Sequence, residues 1–286
     1  MLTDEIGIGI ISFNRPRLLQ QLLQSLEAQT HLDGVAFHLF QDGAVNAFSR
    51  TVWADPVEVD GCVDMFRASS LANKHFHIQK WNVGIGINQF VAMETLTRRY
   101  EYMAILEDDI ILSPHWLKLV RALLGQVKDR EDIFSSSLGF RKLCPKEEAD
   151  QHLDKLRFGT AHWWGEVLVA ERWARARPHF MEYYRLIKNV EYRHRPHDKI
   201  LEWFGRKNWT GTATSQDGGK ECAVFCAGMR RVVTVVNRGI STGAQGTHFR
   251  PQQFLRMGFD QQEPYVYDKD AVLERFVLPE AEVESA

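Results

Sequence analysis

Four short apolar runs alternate with segments of helical periodicity through the first 120 residues, and that alternation restricts the chain to one broad architecture. Residues 6–12 are β-branched and apolar and read as a buried strand. Asn14 stands where a helix cap is expected, Pro16 suits a first turn, and Leu18, Leu19, Leu22, Leu23 and Leu26 recur at helical spacing. Residues 36–40 read as a second strand that ends at Gln41-Asp42-Gly43. Residues 75–79 read as a third, followed by the glycine-bearing stretch from Asn82 to Asn88 and a helix to about Tyr100. Residues 102–106 form a fourth and lead into Glu107-Asp108-Asp109. This order predicts an α/β, Rossmann-like, mostly parallel sheet with helices on both faces. Ligands of such sheets bind beyond the carboxyl ends of the strands, where each of these polar clusters stands.

The second half is less regular. Residues 163–175 read as a Trp-rich strand or helix, and residues 181–216 as an aromatic, basic, turn-rich stretch. A helix is expected from Asp217 to about Ala227, a strand over 231–236 and a polar loop with three glycines over 237–248. The boundaries drawn are a donor-binding half (1–125), an acceptor-binding and closing-loop half of the same domain (126–278) and an acidic tail (279–286). A formal net charge of −2 gives no reason to expect nucleic acid or an anionic membrane as partner. No apolar run approaches the ~20 residues of a membrane span, and Asp4 and Glu5 precede the first one. Cys62, Cys144, Cys222 and Cys226 lack paired metal-ligand spacing; reduced thiols and a cytoplasmic location are expected.

Glu107-Asp108-Asp109 carries the sharpest chemical signal. Adjacent carboxylates between apolar flanks repel one another unless a cation or donors compensate them. Hard oxygen ligands suit Mn²⁺ or Mg²⁺, which bind through one or two carboxylates together with substrate phosphates. The other reading is a solvated strand end. Ser12-Phe13-Asn14-Arg15 pairs polar groups with a helix N-terminus, which suits a phosphate or a base edge; Arg15 can pair with a diphosphate or stack on a base. Asp42 suits a base N–H or ribose hydroxyl, or a plain turn. Asn82 and Gly84 allow close backbone approach to a ligand or a tight turn. Asp217 can serve as general base or as helix cap, with Glu166 and Glu221 as rival bases. Ser241 and His248 lie on the glycine loop, which can close over a substrate, and His248 can ligate a metal. Trp163 and Trp164, with Glu166 close by in sequence, suit an acceptor sugar.

In this order the motifs resemble the nucleotide-diphospho-sugar transferases of the GT-A fold. The likeness is to family-2 glycosyltransferases in general and, more closely, to the N-acetylglucosaminyltransferase that initiates complex N-glycan branches. That family has Glu-Asp-Asp, an apolar pair, Pro and an aromatic, matched by Ile110-Ile111, Pro114 and Trp116. Residues 12–15, Gln41-Asp42, the segment 170–173 with Pro178, Gly239-Ile240-Ser241-Thr242-Gly243 and residues 267–270 are similar in the same order. The resemblance implies that Asp109 ligates the metal, that Glu107 and Asp108 contact ribose or donor sugar, and that Arg15 contacts the nucleotide. It further implies that Asp42 meets uracil, Ser241 the diphosphate, and that Asp217 is the base. Gln216-Asp217 stands where the family has paired aspartates, and residues 181–214 look like an insertion. The expectation is an inverting, metal-dependent transferase that uses a UDP-sugar, UDP-GlcNAc favoured, on a hydroxyl of a glycan or glycolipid. The alternatives are a sugar-nucleotidyltransferase and a catalytically silent sugar-binding subunit.

Overall fold

A computed structural model describes residues 5–139, 146–159, 165–244, 251–256, 258–261 and 268–279. The chain runs β1 (Ile6–Ser12), α1 (Pro16–Glu27), β2 (Val35–Gln41), α2 (Pro56–Ala68), β3 (Lys74–Ile78), α3 (Ile85–Leu96), β4 (Tyr102–Glu107), β5 (Ile110–Leu112) and α4 (Trp116–Val127). It continues through β6 (Ile133–Ser137), α5 (Lys146–Ala149), β7 (Leu156–Phe158), β8 (Glu166–Val169), α6 (Ala170–Ile187), α7 (His197–Arg206) and α8 (Gln216–Cys226). It ends with β9 (Arg230–Thr234), β10 (Gly239–Ser241) and α9 (Pro251–Arg256).

Eight strands form one sheet in the order β3-β2-β1-β4-β8-β6-β9-β7. The first four are mutually parallel, as the β-α-β order requires. β8 runs antiparallel to both β4 and β6, and β7 antiparallel to β9. The sheet is thus continuous across both halves of the chain. After β1 the chain steps outward to β2 and β3, then returns to the other side of β1 to form β4. The order therefore reverses between β1 and β4, which opens a crevice at their carboxyl ends. Helices cover both faces. Leu19, Leu22, Leu23 and Leu26 of α1 are buried in one core with Ile6, Ile8 and Ile10. The other core joins α3 and β4 to α6, α7 and α8.

Several expectations are corrected. Asn14 does not cap α1; Arg15 occupies that position without a capping bond, and Asn14 donates instead to Glu58 at 3.3 Å. Residues 181–216 are largely helical: α6 runs to Ile187 and α7 fills 197–206, with Phe180, Tyr183, Ile187, Ile200, Trp203 and Phe204 buried at helical spacing. The expected glycine loop contains a strand, β10, paired with β5. Trp173 and Trp203, by contrast, pack in the core as a single Trp is expected to, and their indole N–H groups donate to Glu94 and Glu182 at 2.9 and 3.0 Å.

Candidate active site at the switch point

β1 and β4 deliver their polar ends side by side. Arg15, just after β1, donates to both Asp108 and Asp109, the latter at 2.8 Å. The guanidinium expected on a diphosphate thus neutralises the acidic run here. Asp108 Oδ2 and Asp109 Oδ1 are nevertheless buried without a partner. Burial pushes the Asp108 carboxyl up to about 6, against the pull of Arg15. The Glu107 carboxyl is pushed up to about 8 by loss of hydration, then by the charges of Asp109 and Asp217, with Arg15 and Lys220 opposing.

The β5–β10 ribbon lays the Gly239–Ser241 strand against Ile110–Leu112. It brings Thr242 N–H onto the Asp109 carbonyl at 2.7 Å, with the Thr242 hydroxyl at 3.1 Å. Gly243 then lies so close that a Cβ there would fall 2.1 Å from Asp109 Oδ2. Ser241 is buried in the same ribbon. His248, Trp163 and Trp164 lie outside the described residues.

Asp42, at the end of β2, is buried. Its carboxylate accepts from Gly43, Val83 and Gly84 N–H groups at 3.0, 2.8 and 3.0 Å and from the Asn82 amide at 3.0 Å. It therefore pins the Asn82–Gly84 turn. Gly84 has φ +83°, a conformation that favours glycine. Against this turn packs the side chain of Tyr192: a Cβ at Gly84 would fall 2.9 Å from its Cβ, and one at Gly86 2.8 Å from its ring. The Tyr192 hydroxyl donates to Gln216 Oε1 and accepts from Gln216 N–H at 2.8 Å. The stretch expected to be an insertion thus couples the donor-side turn to the start of α8.

Asp217 occupies the first turn of α8, after Ser215, with its side chain about one-third exposed (34%). Glu221 is held by Arg231 at 2.6 Å. Glu166 on β8 is 1% exposed, and burial raises its carboxyl, against Lys220, Arg231 and the Ser135 hydroxyl. Lys220 lies 3.5 Å from Asp217 and 3.9 Å from Glu166, and donates to Gln89 Oε1 at 3.0 Å. Gln89 in turn donates to Glu107 at 3.0 Å. Lys220, Gln89 and Tyr192 escaped the sequence reading. The i,i+3 spacing of Asp217 and Lys220 was the one available signal.

The residues fit a hard divalent cation in part. Two partnerless carboxylate oxygens on adjacent aspartates leave the remaining positions to substrate phosphates. Among the described residues no group of three His, Cys, Asp or Glu side chains forms a complete cage.

No family model matches the sequence, and no match was found among curated proteins. Solved structures do match. S. aureus TarS 1–349 in complex with UDP-GlcNAc superposes with a TM-score of 0.50 at 12% identity, covering 88% of this chain and 64% of that one. The fold is that of a GT-A glycosyltransferase. A second GT-A structure, the mannosyltransferase PcManGT from Pyrobaculum calidifontis with GDP-Man and Mn²⁺, gives 0.49 at 11% identity, over 89% and 63% of the two chains. The chain therefore spans a little under two thirds of each of these GT-A proteins. No helix among the described residues is long and apolar enough to cross a membrane.

Proposed function

We propose that this protein is a metal-dependent glycosyltransferase. It moves a sugar, GlcNAc in the favoured case, from UDP to a hydroxyl of a glycan or glycolipid with inversion. The carrying observation is the pair of buried aspartates at the switch point, with partnerless oxygens and the β5–β10 ribbon closed over them. TarS 1–349, whose fold this chain shares, was solved with UDP-GlcNAc, which supports the donor. Free thiols at Cys62, Cys222 and Cys226 fit a cytoplasmic site of action.

Asp109, with Asp108, would hold Mn²⁺ or Mg²⁺, which supplies positive charge to a departing diphosphate. Arg15 passes from the aspartates to the diphosphate, and Ser241 binds it. Glu107 contacts the donor sugar. Asp217 takes the proton of the acceptor hydroxyl as its oxygen bonds to the anomeric carbon. The bond from that carbon to the diphosphate breaks, and its electron pair leaves with UDP. Asp42 and Asn82 shape the nucleotide side by fixing the turn at Gly84.

Calorimetry with UDP-GlcNAc, with and without Mn²⁺, tests the reading. Asp109→Ala is expected to lose the metal-dependent part of the affinity, at least about tenfold or 1.4 kcal/mol. Equal affinity of the variant and the parent in Mn²⁺ removes the proposal. Release of pyrophosphate instead of UDP on turnover would mark a nucleotidyltransferase.

A further inference from the structure

We propose that Lys220 is a positioning residue for Asp217, and that Glu166 competes with Asp217 for its ammonium. The inference rests on the reading of Asp217 as the base and adds a control on it.

The placement follows from α8. Lys220 lies three positions after Asp217, so both lie on one face of the first turns. Lys220 is 5% exposed, whereas the Asp217 side chain is 34% exposed. The carboxylate is thus partly open to solvent beside a buried cation. The second acid comes from another element: β8 sets Glu166 3.9 Å from the ammonium, against 3.5 Å for Asp217. Glu166 is buried beside the Ser135 hydroxyl, so a charge there depends chiefly on the nearby cations for compensation. Gln89 completes the arrangement, accepting from Lys220 and donating to Glu107, which fixes the ammonium relative to the acidic run.

Other groups facing Asp217 push the opposite way or are neutral. Glu107 approaches from β4 and Glu221 from α8 itself, both adverse to a carboxylate. Tyr183 of α6 and Tyr192 face it as phenols. Arg231, bonded to Glu221 and to Ser135, adds positive charge on the Glu166 side. Lys220 is therefore the cation in contact with Asp217, and its pull is divided.

A divided cation predicts shifts of opposite sign. Lys220→Met removes the pull and makes Asp217 harder to ionise. Glu166→Gln leaves the ammonium to Asp217 and makes it easier to ionise. Carbodiimide labelling of the intact chain across a pH series, read by mass spectrometry at Asp217, reports this without any substrate. The labelling midpoint is expected to rise by about one pH unit in Lys220→Met and to fall in Glu166→Gln. Lys220→Arg is expected to restore the parent midpoint. In parallel, UDP release from UDP-GlcNAc and Mn²⁺ is expected to lose kcat at least tenfold in Lys220→Met with KM for the donor unchanged, and its acid limb to follow the labelling.

Variants that melt like the parent yet keep its midpoint, or shift it in the same direction, overturn the proposal. If the parent then still releases UDP and Asp217→Asn does not, the transferase reading survives that failure. A parent that releases no UDP sinks the transferase reading and the positioning role with it. The opposed midpoints would then show only a shared ion pair.

Discussion

The carboxylate of Asp42 accepts four hydrogen bonds, three of them from the backbone of Gly43, Val83 and Gly84. Burial pushes this carboxyl up to about 7, and those same three N–H groups pull it back down. Asp42→Ala leaves them buried without an acceptor. The expected loss is about 3 kcal/mol or more of unfolding free energy, read by urea titration. Asp42→Asn keeps one acceptor oxygen and is expected to lose less. At this scale the sequence showed which side chains gather at strand ends, because apolar flanks mark where a strand stops. It did not show how those side chains divide among partners. Arg15 read as a contact for a ligand and Asp42 as such a contact or a plain turn; the fold adds that Arg15 neutralises two aspartates and that Asp42 holds the Asn82–Gly84 turn. Such pairings depend on residues 40 to 95 positions apart, which spacing cannot reveal.

Among the elements, the β5–β10 ribbon matters most for the site. It is only three residue pairs long, too short for an alternation to stand out, so its second strand read as loop. Its effect is to hold the Thr242–Gly243 backbone against Asp109. Gly243→Ala is expected to displace the Asp109 carboxylate while leaving the core intact, since the added methyl meets that side chain first. Donor affinity in Mn²⁺ should fall about tenfold with little change in Tm; a parent-like affinity would show that Asp109 has room to move. The helices of the second half were obscured for another reason. Between Ile187 and Ile200 lie Arg193, His194, Arg195 and Pro196, polar and helix-breaking, and they hid the periodicity on either side. That break also forms the short 3-10 turn that delivers Tyr192 to Gly84 and Gln216.

For the whole molecule, the parallel half of the sheet was legible because each strand there is a continuous apolar run followed by a patterned helix. The antiparallel insertion of β8 was not, since four residues carry no direction. The sheet edge also sets a response to acid. His38 on β2 is buried, with its two ring nitrogens 2.9 Å from His77 and from the Tyr100 hydroxyl. Burial, then the neighbouring His75, His77 and Arg99, holds it down at about 3. The unfolded chain takes up this proton near pH 6.5, the folded chain only near 3. Stability is therefore complete above that upper value and declines as pH falls through the window. Tm is expected to drop between pH 7 and pH 5, and His38→Gln to flatten that slope in scanning calorimetry; an unchanged slope would assign the acid sensitivity to other groups. The strand order has a last consequence, during synthesis. β4 and β6 emerge from the ribosome well before β8, the strand that bridges them. At roughly 5–20 residues per second the nascent chain spends several seconds with both edges bare. In that interval it is open to pairing with a neighbouring nascent chain, until residues 166–169 arrive to close the gap.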